Sequence, residues 1–144
     1  MSAGTSAHRA APLRVRALRV RRRTARRAHL LTGGGLRAAW WAERSLRRVR
    51  AELPVDGLRT RVAPPPRLPG SALGAVEAVL RRRRATCLQR CLVVQAWLLA
   101  HGEAREAVVA VSVADGFSAH AWLDGHDADE SAEFRELTRV PAQR

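Results

Sequence analysis

From Ala39 onward, apolar residues recur at three- and four-residue steps through Ala42, Leu46, Val49 and Leu53, with arginines filling positions between them. That is the period of an amphipathic helix. Pro54 is expected to end it, since proline disfavours a helical conformation in the residue before it. The segment APPPRLPGS, Ala63 to Ser71, is too proline-rich for regular structure and reads as a stiff connector. Ser71 to Leu80 is apolar enough for a short helix. Thr86 and Gln89 then match the T-x-x-Q capping box ahead of an apolar run, and Gly102, directly after His101, supplies a stop. These signals predict a helix from Cys87 to about His101. Leu88, Leu92, Val93, Val94, Ala96, Trp97, Leu98 and Leu99 leave it little polar surface, so it should be central and buried.

Past Gly102 the period shortens to two. AVVAVSVA (Ala107 to Ala114) reads as a strand, Asp115-Gly116 as a hairpin turn, and FSAHAWL (Phe117 to Leu123) as a second, alternating strand. Asp124-Gly125 marks another turn, and FRELTRV (Phe134 to Val140) a third strand. Helices followed by an antiparallel meander make an α+β fold. The expected division is a basic, partly helical amino-terminal region over 1–62, the proline-rich connector over 63–71 and a folded core over 72–144.

Charge sharpens this division. Residues 1–100 carry 22 arginines against 4 acidic residues, whereas residues 101–144 carry 4 against 9. Every basic residue is arginine, although phosphate-binding surfaces commonly use lysine as well. An all-arginine set is equally what a GC-rich coding sequence produces, so charge alone assigns no partner. Arg14 to Arg27 has no interleaved aromatic residue to stack on bases and no groove-reading motif, which argues against nucleic acid. The competing functional class is nonetheless a non-catalytic, arginine-rich interaction protein that binds nucleic acid or an acidic partner through this arm. Two cysteines four positions apart make no disulfide framework. LLTGGGLRAAWW is broken by three glycines and Arg37, so neither a signal peptide nor a membrane span is expected, and the expected location is the cytoplasm.

The capped helix is the chemically distinctive element. Cys87 occupies its first position, where free backbone N–H groups and the positive end of the dipole favour an anion, and the thiolate is the reactive form of cysteine. Arg84 and Arg90 add positive charge nearby. Cys91, one turn deeper in apolar sequence, is expected to be a neutral core thiol. Of five histidines, only His120 lies mid-strand, and alternation sets it on one face with Ser118 and Trp122. A strand histidine beside the start of a central helix is a common Cys–His assembly, and a trailing acid could fix the imidazole tautomer. Asp124, Asp127, Asp129 and Glu130 are within reach along the chain, with Asp129 favoured because Asp124 suits the turn itself. Zinc held by Cys87, Cys91 and His120 lacks a fourth ligand and the usual shorter cysteine spacing, so no metal is expected.

The combination of a C-L-x-R start to an apolar helix closing in H-G, a valine-rich strand, and F-x-A-H-A-W followed by D-G resembles one family. It is the transglutaminase-like cysteine peptidases that process lasso-peptide precursors, and the resemblance runs from about Ala85 to Pro141. It implies a transglutaminase/papain-like fold, with the cysteine-bearing central helix packed on a small antiparallel sheet. It also implies removal of a leader from a ribosomally made precursor, with Cys87 as nucleophile and His120 as base. The family's acid falls in the segment Asp127-Ala128-Asp129-Glu130 ahead of Phe134, so Asp129 is carried over with Asp127 and Glu130 as alternatives. No cofactor is implied. Residues 1–70 are too short and irregular for the leader-binding winged-helix domain of some members. The resemblance therefore implies a stand-alone peptidase that works with a separate small leader-binding protein and an asparagine-synthetase-like macrolactam cyclase.

Overall fold

The computed structural model describes residues 33–112, 117–127 and 134–143. They form an α+β fold of three helices followed by three strands: α1 (Gly33–Asp56), α2 (Leu73–Arg82), α3 (Cys87–Ala100), β1 (Ala107–Ser112), β2 (Ser118–Leu123) and β3 (Arg135–Val140). The Asp115-Gly116 turn and the Arg14 to Arg27 stretch lie outside the described residues.

The apolar stripe of α1 buries Ala38, Trp41, Ala42, Leu46 and Val49. Pro54 does not stop this helix, which continues to Asp56 and into a 3₁₀ turn over Gly57–Arg59. Proline is tolerated there because it falls in the last turn, where its missing N–H forfeits one hydrogen bond and little helix remains to be disrupted. The connector is also held in place. Trp41 Nε1–H donates to the Ala63 carbonyl at 3.2 Å, and His101 Nε2 lies 2.8 Å from the Leu68 carbonyl. Trp41 and Trp97 meet with ring centroids 5.5 Å apart, so α1, α2 and α3 share one hydrophobic core across the connector.

Helix α3 forms as its punctuation predicts. Gln89 N–H donates to Thr86 Oγ1 at 3.3 Å while Thr86 N–H donates to Gln89 Oε1 at 3.1 Å, completing the capping box. At the far end Gly102 takes φ 86, and Glu103 N–H donates to the Leu98 carbonyl at 2.9 Å, closing the helix as a glycine C-cap does. Cys91, Val93, Val94 and Trp97 are buried along its length. Gln95 is buried too, and its amide donates to the carbonyls of Arg105 at 2.8 Å and Val140 at 2.9 Å. That single polar side chain ties α3 to the segment entering β1 and to the end of β3.

The sheet is antiparallel but is not a simple meander: its order is β2-β1-β3, so β3 passes β2 and pairs with β1. The reason is that β1 is apolar on both faces. Ala107, Val108 and Ala110 are all buried, and only a central strand buries successive residues in this way. One face, with Ala107, Ala121, Leu123 and Val140, joins the helical core. The other carries Val108, Ala110 and Trp122, with Phe134 packed against them. No helix among the described residues is long and apolar enough to cross a membrane.

Candidate active site

The turn between α2 and α3 sets the start of α3. Ala85 N–H donates to the Leu80 carbonyl at 2.9 Å and Arg84 N–H to the Arg81 carbonyl at 3.1 Å, the bond pattern of a Schellman ending. Arg84 occupies the left-handed position at φ 51, which glycine usually fills. Thr86 follows in extended conformation at φ −66 and ψ 162, so Cys87 becomes the first helical residue. Its thiol is half-buried and packs against the main core. The first backbone N–H groups of a helix have no intrahelical acceptor, which leaves donors beside this thiol for an oxyanion. Thr86→Ala is expected to lower stability by about 1 kcal/mol in urea unfolding. It should also slow alkylation of Cys87 by iodoacetamide; an unchanged rate would show that the cap does not set the thiol's environment.

Cys91 differs in kind. It is fully buried, and burial, aided by the Asp127 charge and opposed by Arg90, pushes its thiol up to about 12. A group so shifted is neutral at pH 7.

His120 lies on β2 opposite Ala110, half-buried, and its ring stacks on Trp122 at 6.1 Å and meets Phe134 at 5.4 Å. Strand β2 packs on α3, so cysteine and histidine come from neighbouring elements. Alternation nonetheless gives them different surroundings. Ala121 and Leu123 point into the helical core, whereas His120 and Trp122 share the opposite face with Phe134. The sequence signal for this was the alternation itself; that the apolar partners of α3 would be Ala121 and Leu123 depends on the three-dimensional packing.

The acids are distributed with equal clarity. Asp129 and Glu130 lie outside the described residues. Asp124 Oδ2 accepts from Arg139 on β3 at 2.7 Å, in a turn that requires Gly125 at φ 68. Asp127 is drawn to the first turns of α3: Arg90 donates to both of its carboxylate oxygens, at 2.9 and 2.8 Å, and Leu123 N–H donates to it at 2.8 Å. Arg90 also reaches Glu77 on α2 at 3.4 Å. Sequence reading placed Arg90 beside the thiol only as a positive charge, whereas the structure makes it the tie between α2, α3 and the turn after β2. Among the described residues no cluster of three or more His, Cys, Asp or Glu side chains could hold a metal ion.

Partial burial of Asp127 works to raise its carboxyl, but the Arg90 hydrogen bonds, the Leu123 N–H and the Arg90 charge outweigh it and hold the group below its ordinary value. Donating these hydrogen bonds to Asp127 in turn raises Arg90. A carboxyl depressed in the folded state stabilises at pH values above its unfolded pKa, and that contribution fades as pH falls through the folded value. Asp127→Asn is therefore expected to cost about 2 kcal/mol at pH 7. The gap from the wild type should narrow below about pH 4. A gap that stays constant from pH 7 to pH 2 in urea titrations would contradict the ion-pair account.

A model of the Transglutaminase-like superfamily matches residues 4–139. No curated protein matches significantly, and neither does any solved structure. The family match spans the cysteine-headed helix, the histidine strand and the arginine-tied turn between β2 and β3. On that match the chain belongs to the transglutaminase-like superfamily.

Proposed function

We propose that the protein is a cysteine peptidase that removes the leader from a ribosomally synthesised precursor during lasso-peptide maturation. The observation that carries the peptidase reading is Cys87 at the first position of the capped helix α3, a helix that packs on the strand bearing His120. The superfamily includes cysteine peptidases, and the finer assignment rests on the joint resemblance of C-L-Q-R and F-S-A-H-A-W-L-D-G.

In this reading the Cys87 thiolate attacks the carbonyl at the leader–core junction. The leader becomes a thioester on Sγ and the core leaves as an amine, protonated by His120. The imidazole then takes a proton from water, which hydrolyses the thioester. Backbone N–H groups at the start of α3 stabilise the oxyanion in each half-reaction. His120 must reach the thiol around β2, an edge strand of the described sheet, with Trp122 and Phe134 as its wall.

Asp129 serves as the third member, fixing the imidazole tautomer. Asp127 is committed to Arg90 and Asp124 to Arg139, and Asp129 stands in sequence between Asp127 and Phe134, whose ring meets His120. Glu130 is the alternative from the same segment. The partners are the precursor leader, a separate small leader-binding protein and an asparagine-synthetase-like macrolactam cyclase, in the cytoplasm.

Incubation of the protein with a candidate precursor and leader-binding protein, read by mass spectrometry, tests this. Two fragments whose masses equal the precursor plus one water are expected. An intact precursor under conditions where the leader is bound would count against the reading.

A further inference from the structure

A cavity of about 520 Å³ opens at the α2–α3 turn, lined by Glu77, Leu80, Arg81, Arg84, Ala85 and Arg90. Its charged wall is three guanidinium groups against one carboxylate. Arg90 is engaged with Asp127 and Glu77, and the neighbouring Arg83 is engaged with Glu43 at 2.7 Å. Arg81 and Arg84 are both exposed, and among the described residues neither has a carboxylate partner. Arg84 holds its guanidinium there from a left-handed backbone position that glycine would occupy with less strain. Ala85 lies two residues before Cys87, and Arg90 one turn after it, so the cavity adjoins the head of α3.

We infer that this cavity is a subsite for an acidic side chain of the peptide substrate, held by Arg81 and Arg84 within a few residues of the bond presented to Cys87. Guanidinium groups offer paired donors that match a carboxylate, and two with no carboxylate partner among the described residues, set in a concavity, suit a single such side chain. A nucleic-acid strand would call for an extended groove with aromatic platforms, and among the described residues no aromatic side chain lines this cavity. The assignment deepens the peptidase reading and rests on it for the identity of the ligand as substrate.

The test needs no cleavage. A fluorescein-labelled peptide of five glutamates in a glycine–serine frame is titrated against the full chain by fluorescence anisotropy, and Cys87 alkylation by iodoacetamide is followed with and without it. Arg81→Gln combined with Arg84→Gly is expected to weaken binding about tenfold, in line with the loss of two charge-assisted contacts. The same charge removed elsewhere, by Arg37→Gln with Arg59→Gln, should leave binding within about twofold, since distant exposed charges are screened. The peptide should slow Cys87 alkylation in the wild type and not in the cavity variant. Arg84→Gly alone should melt at or above the wild-type temperature yet bind more weakly, separating a lost contact from a lost fold.

Equal weakening in the two double variants, or none in either, overturns the proposal, as does binding without protection of Cys87. Tighter binding of an oligo-dT strand through the same two arginines would also overturn it, in favour of a phosphate-backbone site. Because binding and protection are read without turnover, failure of the peptidase reading leaves these results intact. Conversely, unchanged binding in a variant that still cleaves a precursor removes the subsite alone.

Discussion

Replacing Cys87 with alanine is expected to abolish leader removal, a loss of about 10⁴-fold or more, as for nucleophiles that act as a unit with their base. Cys91→Ala should keep most of the activity. The two thiols sit one helical turn apart, but Cys87 heads α3 half-buried at the helix start, whereas Cys91 is fully buried with its thiol pushed up to about 12. Removing the Cys91 sulfur leaves a small void, with an expected destabilisation of about 1 kcal/mol and little effect on turnover. His120→Ala should resemble Cys87→Ala in turnover while leaving the fold intact, because the ring is only half-buried. Product analysis by mass spectrometry on the three variants checks all of this. Full activity in Cys87→Ala would remove Cys87 from its assigned role.

The largest expected effect on stability is at Trp97. Its side chain is 1% exposed, meets Trp41 at 5.5 Å and stacks on His101 at 4.7 Å. Trp97→Ala should cost about 4 kcal/mol, the range for emptying a large aromatic site. That is a substantial part of the total stability of a small domain, about 5–15 kcal/mol. Trp41→Ala should also destabilise strongly, and a double-mutant cycle between them should show coupling of about 1 kcal/mol. The experiment reads whether α1 is part of the same cooperative unit as α3. Coupling near zero, with Trp41→Ala harmless in urea unfolding, would mean that α1 folds apart from the rest.

Much of the fold was legible because its signals are local. Thr86 and Gln89 start α3 and Gly102 ends it, and the alternation in FSAHAWL sets His120 and Trp122 on one face. Other features depend on contacts distant in sequence. The meander reading set β3 beside β2, but the pairing of Val140 with Ala107 makes β1 the central strand, which its apolar residues at successive positions suit. Pro54 carries a stop signal that fails because only two residues of helix remain beyond it. Arg90 and Asp127 are 37 residues apart, and no local pattern foretells that one guanidinium grips both oxygens of that carboxylate. The place of Cys87 at the head of α3 was legible from capping alone. The face taken by His120 relative to the helical core was not, because it depends on which strand residues α3 buries.

In the proposed mechanism Cys87 must carry an acyl group derived from the leader. The protein, its candidate precursor and the leader-binding protein are mixed, quenched in acid within the first turnover and digested for peptide mapping by mass spectrometry. The expected result is the Cys87-containing peptide heavier by the leader acyl group, an adduct lost on treatment with hydroxylamine and missing from Cys87→Ala. Leader removal that proceeds with no adduct at Cys87, or with the adduct at Cys91, would contradict the account.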